Sequence, residues 1–306
     1  MNDTKKRALV LYNSNAGTGS SAEDLMKAIE YLTLNHIEVT IYPIMPSEGL
    51  VSETILDENH DRFDLAIVCG GDGTLNHAIN GILKDNIHMP IGYVPVGSTN
   101  DFSKSLYGNH GHSILDVCHY IVNGKTFTYD AGKFNDSYFN YVAGFGAFPM
   151  VSYTTPQNMK NSLGYTAYIL KLISAIPEGL SFDRHCIVEH DGITEEGNYM
   201  FGLITNSVSV GGVQPGLIKK SSLNDGIFEV TMVKANLNPV QIANVLNALN
   251  SDSPHSDSVT TFQMKHGKFT FDSEVPWTLD GEDGGNEKDI VIDVVPDAVT
   301  IFSPEE

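Results

Sequence analysis

Positive charge is scarce in this chain: 18 Lys and Arg stand against 38 Asp and Glu, a formal charge of −20. So acidic a surface excludes broad electrostatic attraction to nucleic acid or to an anionic membrane, and any anionic ligand must be met by a local basic patch or a metal ion. Cysteine is nearly as sparse. Cys69, Cys118 and Cys186 are odd in number, far apart and set in apolar stretches. That excludes a disulfide framework or a cysteine zinc site and reads as reduced core thiols in a reducing, cytoplasmic compartment. Long apolar runs are missing as well. Behind Lys5, Lys6 and Arg7 the run 8-ALVLY-12 is too short for a signal peptide and reads as a first strand. No segment approaches a membrane span.

What is present is enough for about two ordinary domains in 306 residues, each able to bury its own core. The first third alternates strand and helix patterns. Strands are expected at 8–12, 38–42, 65–69 and 91–94. Helices are expected behind a Ser20/Glu23 capping box, behind the loop at 70–73, and around Ile114, Val117, Cys118 and Ile121. Such a pattern implies a parallel sheet covered by helices, with ligands at the carboxyl ends of the strands. From about Tyr129 the pattern changes to strands and tight turns, with Asn135-Asp136 and Asp191-Gly192 as hairpin candidates. Further helices are expected at 163–176 and 239–249. The expected architecture is thus a doubly wound α/β domain over 1–130 followed by a mostly antiparallel domain over 131–295.

The stretch 70-GGDGTLNHAIN-80 carries the chemistry. Gly70 and Gly71 allow a sharp turn off a buried strand, Gly73 allows close backbone approach, and Thr74 supplies a hydroxyl. Asp-Gly alone would signal a hairpin, but a helical pattern follows, which favours a phosphate-holding loop at a helix N-terminus. Asp72 opposes a bare anion there. A divalent cation bridging it to a polyphosphate reconciles the two, because Mg²⁺ prefers hard oxygen ligands and phosphate. No Gly-Lys-Ser/Thr follows, so the loop is not of the Walker type. At the other end of the chain, Val275, Trp277 and Leu279 alternate as a strand that delivers Asp280 and Glu282 to its end. The tract 280-DGEDGGNEKD-289 fails as an EF-hand, which needs Glu where Val291 stands.

Five segments in order, 13-NSNAG-17, 70-GGDGT-74, 97-GSTNDF-102, 222-SLNDGIF-228 and 279-LDGE-282, resemble the diacylglycerol kinase catalytic family. The pairing of LNDG with a late LDGEDGG resembles its soluble, Gram-positive bacterial members. The resemblance implies a Rossmann-like, NAD-kinase-like N-terminal domain over 1–130 that a returning strand at about 296–306 rejoins, and a β-sandwich lipid-substrate domain over 131–295. The first binds ATP through Asn13, Gly17, Thr40, Gly70, Gly71, Asp72, Gly73, Thr74, Ser98 and Asn100. It implies carboxylates near the metal and phosphates at Asp72, Asp101 and Asp130, a structural Mg²⁺ at Asp225 with backbone oxygens of Ser222 and Ile227, and Glu282 as base beside Asp280. The implied activity is phosphorylation of the primary hydroxyl of diacylglycerol to phosphatidic acid, with ATP and Mg²⁺ as cofactors. The alternatives are a kinase of the same fold acting on a sphingoid base or NAD, or a silent lipid- or nucleotide-binding regulator. A lipid partner at a membrane surface, peripheral contact with its inner face, a homodimer and no nucleic acid complete the expectation. Helix 163–176 is a candidate bilayer contact and 208–220 a candidate lid. Ser14, Ser98 and His77 depart from the usual Pro, Thr and Glu, and His77 removes a negative charge from the first turns of the loop helix.

Overall fold

The computed structural model describes residues 6–13, 22–97, 100–108, 110, 112–146, 182–207, 222–249 and 256–304. Gly17, Ser98, the Ser20 cap, helix 163–176 and segment 208–220 lie outside them. The chain divides into two compact units: Met1–Tyr129 with Asp297–Glu306, and Asp130–Pro296.

The first unit is α/β. Its strands are β1 (Lys6–Tyr12), β2 (Ile37–Pro43), β3 (Leu65–Gly70) and β4 (Ile91–Pro95), with α1 (Ala22–Leu34), α2 (Ser52–Asn59), α3 (Asp72–Lys84), α4 (Asp101–Tyr107) and α5 (Ile114–Asn123) between and after them. The strands pair in parallel in the order β4-β3-β1-β2, and the far end of β13 (Glu282–Phe302) joins beside β4 through Ile301 and Ile91. Every residue of β3 and β4 is buried, as expected where helices cover both faces of a parallel sheet. The chain moves one way from β1 to β2 and the other way from β1 to β3. Right-handed crossovers therefore set α1 on one face and α2 and α3 on the other, in keeping with the contacts of α1 with α5 and of α2 with α3. Loops following β1 and β3 thus diverge at the point where strand order reverses, where α/β sheets open a ligand crevice.

The second unit is strand-rich. After β5 (Thr126–Phe134), which crosses the boundary between units, come β6 (Ser137–Phe139), β7 (Val142–Gly146), β8 (Arg184–His190), β9 (Ile193–Thr205), β10 (Phe228–Lys234), α6 (Pro239–Leu249), β11 (Val259–Met264), β12 (His266–Leu279) and the first part of β13. Its pairings are antiparallel. The long strands β9 and β12 change partner along their length: the first part of each pairs with β8 and the last with β7. That exchange encloses Trp277, fully buried against Phe134 and Phe145 with ring centroids 5.0 Å apart in both cases. The sequence pattern reads 268–271 and 275–279 as separate strands, because Asp272, Ser273 and Glu274 are polar and exposed. In the fold they are one strand, and a register shift between Thr270 and Val275 carries it past the polar triplet. Asn135-Asp136 and Asp191-Gly192 both form two-residue hairpin turns, and Asp280-Gly281 forms a third. Asp280 (φ 54) and Gly281 (φ 91) both take the left-handed conformation that type I′ turns demand.

Candidate active site

In the first unit the glycine-rich turn after β3 is built by close approach. A Cβ on Gly70 would lie 2.3 Å from the Thr74 side chain, and one on Gly97 would lie 2.6 Å from Gly71 Cα. At Gly70 the turn is closed by the Thr74 side chain, and at Gly97 the loops after β3 and β4 pack backbone to backbone against Gly71, an approach only glycine permits. Asn13, at the end of β1, donates its backbone N–H to Cys69 O at 3.0 Å and its amide Nδ2 to Thr74 Oγ1 at 3.0 Å. Three strand ends are thereby joined by direct contacts. Gly73 lies in the first turn of α3, and Thr40 sits half-buried on β2 opposite Leu9.

Asp72 is the first residue of α3, and its carboxylate serves the next helix. Oδ2 accepts the Asp101 N–H at 2.9 Å; Oδ1 accepts the Phe102 N–H at 3.4 Å and the Tyr93 hydroxyl at 3.3 Å. A carboxylate at a helix N-terminus satisfies amides that have no partner in the helix and complements its dipole. Burial first, and the Asp72 charge next, hold the Tyr93 phenol well above its ordinary range, so it remains a donor. Asn100 precedes α4 in the left-handed conformation and braces the turn by donating Nδ2 to Gly97 O at 2.7 Å and Pro95 O at 3.1 Å. Asp101 is buried and accepts from Lys104 Nζ at 3.0 Å. A cavity of about 460 Å³ opens beside these residues, bounded by Val94, Gly97, Asn100, Asp24, His112 and Ser113. His77 lies exposed on α3 with Nδ1 3.7 Å from Glu53 Oε2 on α2, and Glu53 also meets Lys84 Nζ at 3.3 Å. Where the resemblance leads one to expect Glu on the loop helix, this chain presents a carboxylate from the neighbouring helix, Glu53 of α2.

In the second unit Asp280 is buried and its carboxylate accepts from Asn140 N–H at 2.7 Å, Asn140 Nδ2 at 3.0 Å, Tyr141 N–H at 2.9 Å and Val142 N–H at 3.1 Å, while its main-chain O accepts the Tyr141 hydroxyl at 3.4 Å. Its own N–H donates to Val142 O at 2.8 Å. The turn that follows is therefore anchored at its first residue, while Glu282, just past it, is exposed. Asp130 is likewise buried and uses Oδ2 to accept the Gly226 N–H at 2.7 Å, holding the 222-SLNDG-226 loop. Within the loop Ser222 Oγ donates to Asn224 Oδ1 at 3.1 Å and Asp225 Oδ1 accepts the Ile227 N–H at 3.3 Å.

Among the described residues no three His, Cys, Asp or Glu side chains converge as a metal cage. The loop at 222–227 nonetheless offers what Mg²⁺ prefers: an exposed carboxylate on Asp225 and backbone oxygens. Beside it the fully buried Asn206 has its Oδ1 without a protein partner among the described residues. The residues present fit a hard cation bound mainly by main-chain oxygen. The structure brings Asp72, Asn100 and Asp101 together in one unit, and gives Asp130, Asp225, Asp280 and Glu282 to the other. Tyr93, Asn140 and Asn206 carry much of this geometry and were not legible beforehand, since each bonds to partners remote in sequence.

The model of the diacylglycerol kinase catalytic domain matches residues 7–134. A diacylglycerol kinase of Bacillus subtilis (strain 168) is 30% identical over 282 residues, 92% of this chain and 91% of the relative. This chain belongs to the diacylglycerol kinase family. One from Staphylococcus aureus (strain bovine RF122 / ET3-1) is 30% identical over 287 residues, covering 92% of this chain and 87% of the relative. The crystal structure of a diacylglycerol kinase from Bacillus anthracis str. Sterne shares the fold at a TM-score of 0.74 and 19% identity, over 97% of this chain and 96% of that one. Family membership makes the protein a kinase of the diacylglycerol kinase type, with ATP as the implied phosphate donor. No helix among the described residues is long and apolar enough to cross a membrane.

Proposed function

We propose that the protein transfers the γ-phosphoryl group of ATP to the primary hydroxyl of diacylglycerol, giving phosphatidic acid. The observation that carries the reading is the turn at Asp280-Gly281, held by the four hydrogen bonds that the Asp280 carboxylate receives while Glu282 stays exposed. Phosphoryl transfer asks a protein to align the hydroxyl, stabilise the phosphoryl charge and accept one proton. Glu282 takes the proton as the lipid oxygen bonds to the γ-phosphorus; the β,γ-bridging bond breaks and its electron pair leaves with ADP. Asp280 positions that base. In the first unit the backbone N–H groups of the 70–74 loop receive the phosphates, and Asn13 and Thr74 brace the loop. Mg²⁺, when bound, neutralises phosphate charge; Asp72, Asp101 and Asp130 are the carboxylates assigned to its network, and Asp225 with the oxygens of Ser222 and Ile227 to a structural ion.

The same reading extends to the architecture, a Rossmann-like nucleotide domain and a β-sandwich lipid domain. It extends also to the setting: a cytoplasmic enzyme, homodimeric, that meets its lipid by peripheral contact with a membrane surface.

The test is Glu282→Gln assayed with ATP and dioctanoylglycerol. Turnover falls by about 10²-fold or more, as expected for a positioned general base; retention within tenfold rejects the assignment. Radiolabelled ATP offered with diacylglycerols, sphingosine, ceramide, undecaprenol and NAD reads the substrate. Transfer to sphingosine or NAD with none to diacylglycerol replaces the proposed acceptor.

A further inference from the structure

A side chain outside every motif joins the two functional segments of the second unit. Asn206 follows β9 and is fully buried. Its Nδ2 donates to Asp130 O at 2.7 Å and to Leu223 O at 3.4 Å, and its backbone N–H donates to Tyr141 O at 2.9 Å. On one side, Asp130 Oδ2 accepts from Gly226 at 2.7 Å and Asp130 N–H donates to Leu223 O at 2.8 Å, so the amide holds the 222–227 loop directly at Leu223 and, through Asp130, at Gly226. On the other side, Tyr141 N–H donates to Asp280 Oδ1 at 2.9 Å, two residues before Glu282. A continuous chain of hydrogen bonds thus runs from Gly226 through Asp130, Asn206 and Tyr141 to Asp280. Every link is buried or part-buried, where such bonds hold geometry most firmly.

We propose that Asn206 is a positioning residue for phosphoryl transfer, fixing the metal-binding loop at 222–227 relative to the Asp280-Glu282 turn so that loop order and base placement are set together. Asn206 touches neither lipid nor nucleotide in this role. It acts through the carbonyls of Asp130 and Leu223 and through Tyr141. The inference rests on the assignment of Glu282 and of the loop given above.

The experiment compares Asn206→Ala with the parent, and with Val188→Ala, a core substitution in the same unit matched by its fall in thermal unfolding midpoint. Two quantities are read: kcat with dioctanoylglycerol, and Mg²⁺ affinity by calorimetry on the enzyme without nucleotide. Partners one bond removed from a metal site typically contribute about 10–100-fold to affinity or activity. Asn206→Ala is therefore expected to weaken Mg²⁺ binding and lower kcat by about tenfold or more each, with KM for ATP within about twofold because the nucleotide loops belong to the other unit. Val188→Ala is expected to keep both. Unchanged values in Asn206→Ala, a loss confined to one of the two, or the same double loss in Val188→Ala overturns the proposal. If Asn206→Ala does not fold, Asn206→Ser, which keeps one donor, is read by the same criteria. Absence of lipid turnover in the parent enzyme defeats the substrate reading instead, and the Mg²⁺ titration still decides the role of Asn206 at the loop.

Discussion

The Asp72 carboxylate accepts the backbone N–H of Asp101 at 2.9 Å. The acidic residue of the glycine-rich loop is therefore a cap for a second helix, whatever else it binds. The loops after β3 and β4 are linked through one side chain, which also accepts the Tyr93 hydroxyl at 3.3 Å.

Asp72→Asn tests the link. The substitution keeps the shape but turns one oxygen into a donor facing the N–H groups of α4. Folding stability, read from urea unfolding, is expected to fall by about 1–2 kcal/mol, and KM for ATP to rise. Equal stability would show that the cap contributes nothing.

Asp280→Asn probes the other anchor. Asn tolerates the left-handed conformation, so the backbone is spared and only the charge-assisted bonds are affected. With four donors aimed at the carboxylate, unfolding in urea should show a loss of about 2–3 kcal/mol. Gly281→Ala, at φ 91, adds a backbone penalty of about 1 kcal/mol.

The thiols predict an alkaline limit. Burial pushes Cys118 and Cys186 up to about 12 and Cys69 higher still, with Cys118 adding to the shift at Cys69. In the folded protein they stay protonated at pH values where the thiols of an unfolded chain, titrating near 9, have ionised. The unfolded state then binds fewer protons, so stability is full below pH 9 and falls as pH rises toward 12. Each thiol adds a slope approaching about 1.4 kcal/mol per pH unit. Denaturant unfolding between pH 8 and about 10.5 reads the slope, which Cys118→Ala with Cys186→Ala should reduce.

His77→Glu restores the residue usual in relatives but sets it against Glu53, now 3.7 Å from the imidazole. At this exposed site repulsion is expected to cost about 0.2–0.5 kcal/mol, recovered by Glu53→Gln, with kcat changed less than about twofold. A large rise in activity would instead show that the histidine limits catalysis.

The parallel strands were readable because burial on both faces leaves continuous apolar runs such as 65-LAIVC-69. The three hairpin turns follow from residues that tolerate positive φ, though Asp280-Gly281 was read as the end of a strand. The capping box of Ser113 and Asp116 on α5 is legible in the residues themselves, with the first helical residue following directly on Ser113. Other features leave no local trace. The polar triplet at 272–274 divides β12 in any periodicity reading, and only pairing with β13 shows it to be one strand. Asp72 looks like a metal ligand from its neighbours in sequence; its hydrogen bonds from the Asp101 and Phe102 main chain carry no side-chain signal, and Tyr93, which also donates to it, is 21 residues away. Tyr93 sits among apolar strand residues, Asn206 between Thr205 and Ser207 just past β9, and both bond across long separations.

The strand Glu282–Phe302 pairs with β12 at its start and with β4 near its end. The parallel sheet of the first unit therefore lacks this neighbour for β4 until Ile301 has left the ribosome. An uncovered inner edge is a template for misplaced pairing. The α/β unit, though its strands β1–β4 are complete by Pro95, should be a late arrival in folding, and nascent chains halted before residue 297 should be far more prone to aggregate than those that have passed it.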